Sequence, residues 1–171
     1  MNYRNLIMMN YLKISVGIFA ALAASRFIPH PPNFTSLLAL SFYVPAILGR
    51  KFIPALILSF IFTDIFIGFH NSILFTWGSV LLISFLPKFF IDGTIKRILG
   101  SLTGVFIFFI ITNFGVWTLG FYEFNLNGLL LCYTLALPFL GYSLVSTILF
   151  STLIETILKI FAKKFKFQFN F

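Results

Sequence analysis

Residues 53–97 read IPALILSFIFTDIFIGFHNSILFTWGSVLLISFLPKFFIDGTIKR, and this stretch decides the fold. It holds two apolar runs, Ile53–Phe69 and Ile73–Phe90, each close to the roughly 20 residues that a helix needs to cross a bilayer. The polar turn Gly68-Phe69-His70-Asn71 divides them. Basic residues bracket them, with Arg50 and Lys51 before and Lys88, Lys96 and Arg97 after. A helical hairpin that crosses and returns brings both basic groups to one membrane face, as the positive-inside rule requires.

Working outward, the same pattern repeats. Met8–Ser25, Ser36–Leu48, Ile98–Trp117 and Pro138–Phe161 are further apolar runs, so six spans are predicted. The run Ser36–Leu48 is short, with Pro45 near its end. Residues 126–137 are apolar but too short to span before Pro138, and predict a re-entrant or interfacial helix. With the N-terminus, the 49–52 and 87–97 loops and the C-terminus in the cytoplasm, all of the 12 Lys and Arg residues except Arg26 lie inside. The basic tail Lys159–Lys166 then meets anionic lipid on the inner leaflet. The start Met1–Ala24 also has the ingredients of a cleaved signal peptide. The run reaching back to Met8 and the polar motif just after Ala24 favour a retained helix.

Composition agrees with lipid as the main solvent. The chain is 60% hydrophobic and 9% charged, with a mean hydropathy of +1.03, whereas soluble domains carry about 25% charged residues. A net charge of +8 does not point to nucleic acid, because the basic residues come in small groups between apolar runs rather than in one surface stripe. Cys132 is the single cysteine, which excludes an intramolecular disulfide and a cysteine-based metal site. The expectation is one integral membrane domain over residues 1–171: an all-α six-helix bundle in the inner (cytoplasmic) membrane, both termini inside.

This topology gathers the unusual polar residues on the outer face. Arg26, His30 and Asn33 fall in the first outer loop, Asp64 late in the third span, His70 and Asn71 in the second outer loop. Asn113 and Trp117 close the fifth span, and Glu123 and Asn125 occupy the third outer loop. A carboxylate in an apolar helix costs roughly 2.5–3.5 kcal/mol on insertion scales, so Asp64 must face the bundle interior or a wet cavity. It either binds a ligand or cation, or pairs with Arg26, the single outer basic residue. Asn113 and Trp117 are four apart and share a helix face, where an amide above an indole can hold a planar polar ligand. The alternative is a helix-bridging amide beside an aromatic belt residue, and Trp77 carries the same ambiguity. Prolines flank His30 in Pro29-His30-Pro31-Pro32, which makes the loop stiff and extended, as a lid or simply as a rigid turn. His30, His70, Asp64 and Glu123 could together hold a metal, but their spacing does not demand it; no metal and no cofactor are expected. Small residues Gly17, Ala20, Ala21 and Ala24 in the first span, and Gly100 and Gly104 in the fifth, permit close helix approach, within the chain or to a partner.

Four stretches carry a family resemblance: Arg26-Phe-Ile-Pro-His-Pro-Pro-Asn-Phe-Thr35, Asp64-Ile-Phe-Ile-Gly-Phe-His70, Thr112-Asn-Phe-Gly-Val-Trp117 and Cys132-Tyr-Thr-Leu-Ala-Leu-Pro-Phe139. They resemble a family of uncharacterised bacterial six-helix membrane proteins. That family is similar, more distantly, to the substrate-binding S components of energy-coupling factor vitamin transporters. The resemblance implies six helices, both termini inside, and an outward-opening pocket. It also implies an Ala-x-x-x-Ala motif, matched by Ala20 and Ala24, that contacts a transmembrane coupling subunit. One departure is visible. Where the family's last helix begins Asn-Thr-Leu-x-Gly-Asp, this chain has Tyr142-Ser-Leu-Val-Ser-Thr147, with Thr147 in place of the aspartate.

The leading expectation is therefore a membrane-embedded subunit, not an enzyme, that binds a small water-soluble micronutrient for uptake. Arg26, His30, Asn33, Asp64, His70, Asn113 and Trp117 would line its pocket, with Arg26 on an anionic group, Asp64 on a cationic or donating one, and Trp117 stacking. Gly17, Ala20 and Ala24 would dock the coupling subunit. No P-loop is present, so separate ATPases would supply energy. The alternatives are a stand-alone secondary transporter or channel with Asp64 as its proton or cation site, and an intramembrane enzyme using His30 or His70 with Asp64 or Glu123.

Overall fold

Apolar runs with no strand-like alternation fold as helices throughout, because in lipid a helix satisfies its own backbone hydrogen bonds. The computed structural model describes residues 3–165, and they form eight α-helices with no strand among them. Helix α1 is Tyr3–Phe27 and α2 is Leu37–Tyr43, which continues as a π-helical turn over Val44–Leu48. A 3-10 turn, Arg50–Phe52, leads into α3, Ile53–Ile67. Helices α4 (Ile73–Ile83) and α5 (Pro87–Phe90) are separated by a short turn. Helix α6 is Gly93–Val116 and runs into a second π-helical turn, Trp117–Phe121. Helices α7 (Leu126–Leu135) and α8 (Leu137–Phe165) complete the chain.

Among the described residues, four segments are long and apolar enough to cross a membrane: Met8–Phe27, Ile73–Phe90, Gly93–Phe121 and Leu137–Phe161. The predicted second and third spans are shorter. Leu37–Leu48 falls below spanning length. Helix α3 has 15 residues, about 22 Å of rise against a hydrocarbon core of about 30 Å. Gly68 stops it early, at a φ of 108° that other residues rarely adopt. The predicted fifth span begins too late in the sequence reading. The chain turns at Gly93, with φ of 85°, and the helix starts there, so Lys96 and Arg97 sit in its first turns rather than in a loop. The helix over 126–137 is present as α7. Pro138, second residue of α8, lacks the N–H to continue α7 and is accommodated where that N–H would have no partner. Lys166 and the C-terminus lie outside the described residues, as do the side chains of Arg4, Lys163 and Lys164.

Helix α1 packs on α3, α4 on α6, and α6 on α8, while α2 sits centrally against α4, α6 and α8. The centre holds Leu38, Phe42, Tyr43, Ile83 and Val105, and a second cluster, Leu22, Leu37, Phe60 and Val80, ties α1 to α2, α3 and α4. Two glycines set how closely α6 is approached. A Cβ on Gly100 would lie 2.5 Å from the Phe42 ring and 2.6 Å from Phe90 Cβ, and one on Gly104 would lie 2.9 Å from Ile83. Gly17 on α1 has no such neighbour within 4 Å. Gly17, Ala20, Ala21 and Ala24 form an exposed strip of small residues.

Alanine favours a helix interior over glycine by about 1 kcal/mol, but overpacking costs about 1–3 kcal/mol. Gly100→Ala is therefore expected to lower the thermal unfolding midpoint of the detergent-solubilised protein, and Gly17→Ala to hold or raise it. Equal midpoints for the two variants would contradict the tight crossing at Gly100.

Candidate functional site

The polar residues named from sequence separate into three groups. The first is centred on Asp64. Arg26 Nη2 donates to Asp64 Oδ1 at 2.6 Å, and Trp77 Nε1 donates to Oδ2 at 2.7 Å. Arg26 Nη1 donates to Thr63 Oγ1 at 2.6 Å, and its guanidinium lies 4.7 Å from the centre of the Phe60 ring. The side chains of Arg26 and Asp64 are 13% and 2% exposed. Both carboxylate oxygens are thus engaged, and the group joins α1, α3 and α4. Of the two readings left open for Asp64, the geometry is that of the ion pair. Trp77 belongs to it as a hydrogen-bond donor.

The second group closes loops. His30 folds over the end of α1, with Nδ1 2.7 Å from the Pro31 carbonyl oxygen and Nε2 3.3 Å from that of Arg26. Trp117 Nε1 donates to the Glu123 carbonyl at 3.0 Å, and its ring contacts those of Phe114 and Phe124. Asn125 Nδ2 donates to the Glu123 carboxylate at 2.8 Å, and Asn125 Oδ1 caps α7 at the Gly128 N–H, also 2.8 Å. Trp117 is therefore a clasp on the 121–125 turn. Among the described residues, no group of three or more His, Cys, Asp and Glu converges as a metal would need.

The third group lines a cavity of about 340 Å³ between α4, α6, α7 and α8. Asn33, His70 and Asn113 meet here; Arg26, His30, Asp64 and Trp117 do not line it. Asn33 enters because the first loop is stapled at both sides. The Ser25 hydroxyl lies 2.7 Å from that of Ser36 and accepts the Ser36 N–H at 3.1 Å. The chain between them turns at Asn33 in the left-handed region, φ 62°, which asparagine tolerates better than most residues. His70 is held by Ser72, Nδ1 to Oγ 3.0 Å. Asn113 Nδ2 donates to the Phe109 carbonyl at 2.8 Å, so one amide N–H and the amide oxygen remain for other partners. Thr76, Thr112, Tyr122 and Ser143 add hydroxyls, and Phe108, Phe109 and Phe139 add rings. Sequence reasoning missed these. The hydroxyls of Thr76, Thr112 and Ser143 are common in spans, and nothing in their spacing marks them. A larger apolar groove of about 450 Å³ lies between α1 and α3, walled by Leu12, Val16, Phe19, Leu58 and Phe62, with no charged group in it.

Sequence reasoning also missed the partner of Glu155. Arg97 donates to it through Nε at 2.6 Å and Nη2 at 2.8 Å, and Thr94 Oγ1 donates at 3.0 Å. The signal was available, since a carboxylate in a span implies a partner. Glu155 ends a line of buried residues four apart on α8: Ser143, Thr147, Ser151 and Glu155. Ser151 meets Ser101 of α6 at 3.0 Å, but the buried Thr147 hydroxyl has no hydrogen-bond partner.

Residues 8–168 match a protein family. The chain belongs to that family of unknown function, DUF6580. No curated protein and no solved structure matches it.

Breaking a buried ion pair from one side costs roughly 3–5 kcal/mol, while replacing both partners by apolar residues is often neutral. Arg26→Met should therefore lower the unfolding midpoint sharply, and Arg26→Met with Asp64→Leu should recover much of the loss. A double variant as unstable as the sum of its singles would deny the coupling. Thr147→Val removes a buried hydroxyl that has no partner, a group whose burial costs about 1–3 kcal/mol. It is expected to raise the same midpoint, and a fall would show that the hydroxyl has an essential contact.

Proposed function

We propose that this chain is the substrate-binding subunit of a membrane uptake system for a small water-soluble micronutrient. The supporting observation is the cavity, which combines amide, hydroxyl and aromatic walls and includes the exposed Asn33 and His70 in its lining. Binding sites for small molecules have this mixture, largely apolar with a few converging polar groups. In this reading α2 and α3 count as spans despite their length, giving six with both termini in the cytoplasm and the cavity mouth outside the inner membrane. Such a subunit needs energising partners. The exposed strip Gly17, Ala20 and Ala24 offers a flat face on which a coupling subunit's helix can pack closely, with ATPases attached to that subunit.

Engagement of Asp64 by both Arg26 and Trp77 weighs against the secondary transporter that would use it as a proton or cation site. The intramembrane enzyme has less support still. Among the described residues His30 hydrogen-bonds only backbone carbonyls and His70 only Ser72, so neither has a carboxylate bonded to it as an acid–base pair requires.

The test is affinity purification of the tagged full chain from its native membranes, followed by identification of associated proteins. A membrane coupling protein and ATP-binding subunits should co-purify, and Ala20→Trp with Ala24→Trp should release them while the unfolding midpoint is kept. Purification with no ATPase, together with uptake by the isolated chain in liposomes driven by an ion gradient, would establish the secondary transporter instead.

A further inference from the structure

The cavity walls hold no carboxylate, lysine or arginine, and this bears on what it takes. Among the described residues no Asp, Glu, Lys or Arg lines it, and its one imidazole, His70, is exposed and hydrogen-bonded to Ser72. Glu123, next in sequence to the wall residue Tyr122, lines a neighbouring pocket instead and accepts from Asn125 Nδ2 at 2.8 Å, while Arg26 and Asp64 are spent on each other, on Thr63 and on Trp77, with side chains 13% and 2% exposed. An ion entering this cavity would lose water and find no buried counter-charge, which is far more costly than desolvating a neutral polar group. Resting on the binding reading above, we infer that the ligand is uncharged: a flat heterocycle of one or two rings bearing an amide- or lactam-type edge.

Three features define that class. The rings of Phe108, Phe109 and Phe139 supply apolar faces against which a planar ring packs by stacking or edge contact. Asn113 presents both kinds of partner, since after donating to the Phe109 carbonyl it retains one N–H and its oxygen. A primary amide faced by another amide or a lactam forms a donor–acceptor pair on each side, which a carboxylate or an ammonium cannot. The Thr112 hydroxyl donates to the Phe108 carbonyl, so toward the cavity it accepts. The volume, about 340 Å³, lies at the low end of ligand sites, roughly 300–1,000 Å³, which suits one ring or two fused rings.

The experiment compares matched probes on the purified full chain. Pyridine-3-carboxamide and quinazolin-4-one are the neutral probes; pyridine-3-carboxylate and 3-pyridylmethylammonium are the charged ones. Each is titrated to millimolar concentration while the thermal unfolding midpoint is followed. A neutral probe should raise the midpoint in a saturable way and the charged pair should leave it unchanged. Asn113→Ala should weaken the neutral probe about 10-fold or more, the scale of leaving one buried hydrogen-bonding group unmatched. Thr112→Val serves as the second variant should Asn113→Ala fail to fold, and a weaker response is again expected. A shift with the carboxylate or the ammonium but not with the neutral probes overturns the inference, and so does a shift with none of the four. Neither result touches the uptake reading, which stands or falls on the co-purifying subunits. Conversely, saturable neutral binding without those subunits would leave the ligand class intact and remove the uptake role.

Discussion

One carboxylate constrains half of this bundle. Asp64 sits near the end of α3, is almost wholly buried, and has each oxygen held by a different helix, Arg26 from α1 and Trp77 from α4. In an apolar medium an unpaired carboxylate is the most expensive group the chain could bury. Any arrangement of α1, α3 and α4 that separates these three side chains is therefore heavily penalised. The pair fixes the depth of α1 against α3 as well as their contact, because the partners lie near the ends of both helices. The stacking of Tyr11 on Phe52 at the opposite end, ring centres 4.8 Å apart, sets the same register from the other side.

The other half is built on the same logic with different parts. Glu155 of α8 is held by Arg97 and Thr94 in the first turns of α6, and Arg97 also donates to the Ile91 carbonyl at 3.2 Å, fixing the turn that precedes the helix. Further along the same α6–α8 contact the meeting is polar but uncharged, Ser101 against Ser151. Without a hydrophobic driving force between helices in lipid, small side chains and interhelical hydrogen bonds are what association can use. Gly100 and Gly104 add the remaining element, letting Phe42 and Ile83 reach the α6 backbone. The two ion pairs lie on different helix pairs, and α2 fills the space between them with apolar side chains.

Much of this was legible in the sequence, and what was not has identifiable physical causes. Apolar runs locate helices well because burial in lipid leaves the backbone no other choice. Helix ends were read less well. Asp92-Gly93 reads as a loop followed by charges, yet the helix begins at Gly93, since Lys96 and Arg97 can start a helix whose carboxylate partner lies on a distant segment. The site divided along similar lines. Asn33, His70 and Asn113 were recognisable as polar groups at loop and helix ends, and they do meet. Arg26 and Asp64 were equally visible, and the sequence correctly offered their pairing as one of two outcomes. Choosing between them required knowing that Trp77 would take the second oxygen. Spacing from Asn113 offers Trp117 as a ligand platform and its place at the helix end offers it as an aromatic-belt residue. Its indole N–H instead reaches the Glu123 carbonyl across a turn, a contact set by the backbone and invisible to periodicity.

One wall of the cavity is built across a break in regular structure. Pro138 denies α7 its next backbone donor, so the chain ends one helix at Leu135 and begins another at Leu137. The Ala136 N–H turns back to the carbonyls of Cys132 and Thr134. Leu135, Ala136, Phe139 and Leu140, on both sides of that junction, line the same space. Helix α7 is moored to α6 at two points, the Tyr133 hydroxyl donating to the Ile110 carbonyl at 2.7 Å and the Cys132 thiol approaching the Asn113 carbonyl at 3.4 Å. The short helix therefore cannot collapse inward without losing those bonds. The space is held open by backbone geometry on one side and by the Asn33 turn on the other, while both ion pairs stand outside its walls. Two buried charge pairs, Arg26–Asp64 and Arg97–Glu155, tie the bundle together, and neutral polar groups line the cavity.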